Sequence, residues 1–103
     1  MKIIKPKDFT PKNAWGSLPI ANMNGITTKL HWTDKPYIWH TNDGDEVFVV
    51  LDGTVKMHYK QNNQETFTIL NTSDIFYANI GCEHYAEPIG IARILVIEKE
   101  DSI

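Results

Sequence analysis

The chain has 103 residues and a single cysteine, Cys82, so no intrachain disulfide can staple it. That scarcity fits a reducing compartment. The first eight residues, Met1 to Asp8, hold no apolar run of the kind a secretory signal needs. No stretch approaches the ~18 consecutive apolar residues of a membrane span. Together these absences lead to the expectation of a cytoplasmic protein with no membrane partner. Basic residues are scattered rather than gathered in a stripe, which excludes a nucleic-acid footprint. There is no glycine-rich phosphate loop, no nucleophile elbow and no pair of Cys-x-x-Cys motifs. Asn42-Asp43-Gly44-Asp45 is acidic but lacks the spacing of a calcium loop. Internal repeats, low-complexity segments and convincing helical periodicity are also missing.

What is present is a globular composition, 42% hydrophobic and 22% charged, in a length that suits one domain. Short apolar or alternating runs are separated by turn residues about every 8–12 positions, the pattern of an all-β sandwich or barrel. Residues 1–17, with Pro6 and Pro11, read as an extended lead-in that lies on the domain surface through Phe9 and Trp15. The barrel domain is expected over 18–103. An edge strand containing Pro19 comes first, then Asn24-Gly25 as a hairpin turn. In 26–32, Ile26, Thr28, Leu30 and Trp32 alternate with Thr27, Lys29 and His31. His31 lies on the polar face and is read as solvated.

The stretch from Glu46 to Leu51 is the strongest strand, and Asp52-Gly53 the strongest two-residue hairpin signal. A tip there would put Val50 opposite Val55, Phe48 opposite Met57 and Glu46 opposite Tyr59. One face then holds Glu46, Phe48, Val50, Val55, Met57 and Tyr59, and is expected to be interior. Val47 and Val49 lie on the other face, with Lys56 and His58. They need cover from another sheet or a second subunit, which suggests a homodimer. His58, on that outer face, is given no role. Pro88-Ile89-Gly90 reads as a further turn before the last strand, 91–98.

Glu46 is the informative residue. An ionised carboxylate on an apolar inner face is destabilising by several kcal/mol unless it is paired or coordinated. A metal ion, the Tyr59 hydroxyl or protonation would each resolve this. His40 closes the preceding strand and His84 lies in a later one. Two histidines and a carboxylate form a facial triad that suits iron and accommodates manganese, nickel or zinc.

His40-x-Asn42-x-x-x-Glu46-(six residues)-Gly53 resembles the first motif of the cupin family, and Asn79-x-Gly81-x-x-His84 resembles the second. Asp34, Asn42, Ser73, Asn79 and Pro88 depart from the family pattern. The resemblance implies a single-domain cupin β-barrel (a double-stranded β-helix, or jelly roll) with His40, Asn42, Glu46 and His84 around a divalent transition metal. Asn42 stands where a histidine is expected. Its amide oxygen could be a weak ligand, its place could be an open position, or its side chain could simply bond backbone in a turn. Phe48, Met57, Tyr59 and Cys82 are the candidate pocket lining, with Tyr37, Trp39, Tyr77 and Tyr85 as further aromatic walls. Cys82 shares a face with His84 if both lie in one strand. Alternatively, it is a small buried hydrophobe or a turn thiol. The resemblance also implies dioxygenase- or isomerase-like chemistry on a small organic molecule, and a dimer. The alternative function is a non-catalytic small-molecule binding module with a weak or absent metal site.

Overall fold

The computed structural model describes residues 1–102. A single 3-10 turn, Pro6–Asp8, is followed by seven strands: β1 (Gly16–Met23), β2 (Ile26–Thr33), β3 (His40–Thr41), β4 (Glu46–Gln61), β5 (Gln64–Leu70), β6 (Ile75–Ala78) and β7 (Glu83–Lys99). All pairings are antiparallel, in the order β1-β2-β7-β4-β5, with β3 on β7 and β6 on β4. The fold is all-β.

β4 and β7 are long because each bends and serves two half-barrels. The first half of β4, through Val50, pairs with β6 on one side and the last part of β7 on the other. Its second half, from Val55, pairs with β5 and the first part of β7. The expected hairpin at Asp52-Gly53 therefore does not exist. The chain runs on through that dipeptide, and Asp52 and Gly53 oppose Arg93 and Ala92 of β7. The physical reason is that a residue with positive φ makes a bulged corner as readily as a turn tip. Gly53 has φ +87°, and a Cβ there would lie 2.3 Å from the carbonyl oxygen of Ile91. The strand corners of β4 and β7 touch at this point, so β7 is where β4 finds its partner. The expected turn at Pro88-Ile89-Gly90 is likewise a bend within β7, with Gly90 at φ +81°.

The interior face of β4 is nevertheless the one that alternation assigns. The bulge and a two-residue hairpin both reverse parity once, so Phe48, Val50, Val55 and Met57 all face inwards and are buried. They form one core with Leu70, Ala86, Ala92, Ile94 and Val96. The pairing of Glu46 with Tyr59 is lost: Glu46 opposes Ala78 and Glu98, while Tyr59 opposes Thr66 and His84.

β2 is inverted relative to a simple hydrophobic-in reading. Lys29 and His31 stand on the same rungs as Val96 and Ile94, whose neighbours on β4 are Phe48 and Val50. The polar face of β2 thus looks into the barrel. Its apolar face points outwards, yet Leu30 is fully buried and Trp32 is 9% exposed. On that side Arg93 ties down the N-terminal segment. Its guanidinium donates to the Phe9 carbonyl (3.0 Å), the Thr10 hydroxyl (2.6 Å) and the Asp52 carboxylate (2.6 Å). Such fork-shaped, charge-assisted bonding suits a buried arginine.

Candidate metal centre

His40, Glu46 and His84 come from β3, the first residue of β4 and the start of β7. His40 and His84 are direct cross-strand neighbours, with ring centroids 4.3 Å apart. One candidate ligand atom from each of the three side chains lies within 4.8 Å of the other two. The histidines are held alike. The Nδ1 of His40 is 2.9 Å from the Ile38 carbonyl, and the Nδ1 of His84 is 3.4 Å from the Cys82 carbonyl. A carbonyl oxygen only accepts, so each Nδ1 carries a proton, and in the neutral imidazole Nε2 is then the atom with the free lone pair. That is how backbone carbonyls orient metal-binding imidazoles.

Glu46 and His84 are both buried. Glu46 Oε1 is 3.2 Å from His84 Nε2, but a hydrogen bond is not satisfied and that oxygen has no partner. With both imidazoles neutral, the buried Glu46 oxygen and the two Nε2 atoms are all acceptors with no donor among them. The arrangement fits a divalent cation, whose ligands must be deprotonated. Burial pushes the His40 imidazole below the usual histidine range, which keeps it in the neutral, metal-binding form.

The three side chains open onto a cavity of about 160 Å³. Its other walls include Trp15, Lys29, His31, Tyr37, Phe48 and Glu98. Burial is the main cause that pushes the Glu98 carboxyl up to about 7, with the Glu46 charge across the strand pair adding to it. Burial also lowers the His31 imidazole. Trp15 adopts φ +60° and donates from Nε1 to the Lys35 carbonyl at 2.9 Å. Its ring lies 5.1 Å from that of Tyr37, which packs edge-on to His40.

The structure places the other candidate residues differently. Asn42 is buried, and its Nδ2 donates to the Ala78 carbonyl of β6 at 3.2 Å. Its backbone bonds Cys82 and Gly81, so it clamps the loop before β4 to the turn before β7. Phe48 lines the cavity, but Met57, Tyr59 and Cys82 do not. Met57 is sealed in the aliphatic core; Tyr59, facing inwards beside His84, packs on Phe76. Cys82 lies just before β7, with its Sγ near the Glu83 carbonyl, and burial pushes its thiol up. Trp39 and Tyr85 pack together, Tyr85 stacking on His58, and neither lines the cavity; Tyr77 is exposed.

Sequence reasoning missed Trp15, Lys29, His31 and Glu98 as cavity residues. The available signal was alternation, which puts Lys29 and His31 on one polar face of 26–32 without saying that this face looks inwards; Glu98 ends the run of the last strand.

A small antiparallel barrel of two bent long strands, with His, Glu and His gathered inside one end, is the architecture of a cupin. The chain has that fold. Over 95% of its length it superposes on 95% of a cupin-2 domain containing protein from Shewanella frigidimarina, with 27% identity and a TM-score of 0.78. A cupin superfamily protein from Desulfitobacterium hafniense matches 93% of this chain and 87% of its own, at 14% identity and a TM-score of 0.78. FeII HppE in complex with substrate matches 81% of this chain and 53% of its own, at 15% identity and a TM-score of 0.69. No family model and no curated protein matches the sequence. A His-Glu-His cluster in this fold fits a metal-binding cupin. No helix is long and apolar enough to cross a membrane among the described residues.

Proposed function

We propose that the protein is a metal-dependent cupin acting on a small polar organic molecule. The observation that carries this is the unpartnered Glu46 oxygen beside His40 and His84 on the wall of the cavity. His40, Glu46 and His84 would hold a divalent transition ion: iron, manganese, nickel or zinc. When bound, such an ion supplies Lewis acidity towards a carbonyl or, if it is iron, activation of O₂, which suits isomerase- or dioxygenase-like chemistry. The chain's own residues do the rest. The Ile38 and Cys82 carbonyls keep both imidazoles aimed. Trp15, Tyr37 and Phe48 form apolar walls that exclude water. Glu98, poised near neutral pH, can take or give a proton at its carboxyl oxygen.

The test is metal analysis of protein purified without chelator, beside His84→Ala. Wild type should contain metal, and added metal should raise its melting temperature; the variant should do neither. If wild type binds none and gains no stability, the reading fails. The neutral alternative is a binding module, for which a ligand would stabilise the fold equally with and without metal. Turnover lost on His40→Ala would exclude that.

The reading extends to assembly and location. Val47 and Val49 lie beside exposed Tyr77 and Ile75 of β6 on the outer face, an apolar strip that a second copy would cover. Light scattering at micromolar concentration should give a dimer, and a monomer would contradict it. The lone cysteine suits a cytoplasmic setting.

A further inference from the structure

The inner face of β2, β7 and β4 is laid out in rungs. Thr27, Glu98 and Glu46 share one, and Lys29, Val96 and Phe48 share the next. Lys29 is thus two strands and one inward position from Glu46, roughly 10–12 Å between Cα atoms at ordinary strand spacings. Its side chain lines the cavity and is half-buried. Among the described residues it makes no ion pair, whereas Lys60, Lys99 and Arg93 each do. A lysine turned into a barrel is an expensive placement when its ammonium is left uncompensated. Alternation offers Thr27 and His31 as the only neighbours on its own strand face, and burial lowers the His31 imidazole, favouring its neutral form. A divalent ion on the triad together with Lys29 would outweigh the carboxylates of Glu46 and Glu98, leaving the cavity net positive.

We infer that Lys29 is a specificity residue that receives the carboxylate of a small organic acid, whose other polar end faces His40, Glu46 and His84. This rests on the proposed function for the second half of that statement only. The cavity limits the acid's size. At about 160 Å³ it is close to the volume of an apolar cavity that admits benzene, so the acid has about six non-hydrogen atoms. Short 2-oxo, 2-hydroxy or similarly oxygenated acids meet both demands: an anion at one end and an oxygen donor at the other. Trp15, Tyr37 and Phe48 would hold the carbon skeleton between them. Glu98, its diagonal neighbour on β7, interacts with Lys29 through space without forming an ion pair, and a lysine that only balanced Glu98 would leave acids and amides bound equally.

The test compares acids with their neutral amides. Acetate, pyruvate and 2-oxobutanoate, and the amide of each, are titrated into the full chain by calorimetry, with and without Zn²⁺. In wild type, at least one acid should bind about tenfold or more tightly than its amide, the effect of one charge-assisted hydrogen bond. Lys29→Met and Lys29→Gln should bring that ratio below about threefold, while Lys56→Met should leave it unchanged. Lys56 lies over the Phe67 ring on the outer face. Equal binding of acid and amide in wild type overturns the inference, and so does a ratio that survives both Lys29 variants. The wild-type ratio needs no variant, so a misfolded one does not protect the idea. If the protein takes up no metal yet keeps a Lys29-dependent preference for acids, only the metal reading falls. Metal uptake with a ratio of one sinks only this inference.

Discussion

Each of the two long strands passes through two environments. In the half of the barrel around the β4 and β7 corners, Val50, Val55, Met57, Ala92 and Ile94 are all fully buried and wholly apolar. In the other, β4 carries Glu46 and β7 carries Glu98, with His40, His84, Lys29 and His31 around them. The strands, pairings and bends are continuous, so backbone geometry is common to both halves. Only side-chain chemistry differs. The closed half does the stabilising, through apolar burial of roughly 25 cal/mol per Å². The open half holds buried polar atoms that lack partners, Glu46 Oε1 and His31 Nδ1. A folded protein tolerates such groups where function needs them, because the remainder of the core compensates.

The sharpest way to break this contrast is to damage each half separately. Met57→Ala should lower unfolding free energy by about 2–5 kcal/mol, since it empties a fully enclosed site. Chemical denaturation reads this, and metal uptake per folded molecule should not change. The corners come next. Gly53→Ala combines a positive φ with a backbone clash, for an expected loss of about 2–4 kcal/mol. Gly90→Ala shares the φ but meets open space, so about 1 kcal/mol should be lost. Equal losses would mean that the corners do not press on each other.

In the open half the sign should reverse. Glu46→Gln removes an unpartnered buried carboxylate, so the metal-free protein should gain about 1–2 kcal/mol while its response to metal disappears. A loss of stability without metal would show that the carboxylate is satisfied in solution. The smallest effect is that of Glu98. Its folded value of about 7 lies above the ordinary 4.5, so the folded state holds the proton more tightly. The associated stability is present below about pH 4.5 and is lost as pH rises towards 7. Glu98→Gln should therefore match wild type near pH 4. It should be more stable at pH 8 by about 1 kcal/mol, after allowance for solvent screening. His31 and His40 act oppositely: their lowered values make stability fall as pH drops through the ordinary histidine range near 6.5. Met57→Ala should shift the whole pH profile without changing its shape.

Legibility followed the same division. The apolar alternation of β4 named the inner residues Phe48, Val50, Val55 and Met57 directly, because burial imposes a period of two. The motif spacing singled out His40, Glu46 and His84, which the fold brings together. Two things were not legible. Asp52-Gly53 permits a positive φ, but a local dipeptide does not state whether the chain returns on itself or bends and continues. The polar alternation of β2 identified a face without telling which way it pointed. A hydrophobic-in rule assigns it to solvent, and the outward face turns out to be the one the N-terminal segment covers. Met57 and Tyr59 were placed in the pocket because parity alone cannot say how far along the barrel a cavity extends.

What the sequence determined by itself was thus local and periodic: an all-β chain, the parity of its strongest strand, the positions that could turn, and a His-Glu-His set. The tertiary structure alone decided that β4 and β7 are each single bent strands, that Lys29, His31, Trp15 and Glu98 enter the cavity, and that Asn42 clamps backbone. The reason is physical. Side-chain alternation is set by each strand's own geometry, whereas the partner of a strand, and the direction its polar face looks, depend on contacts between residues tens of positions apart.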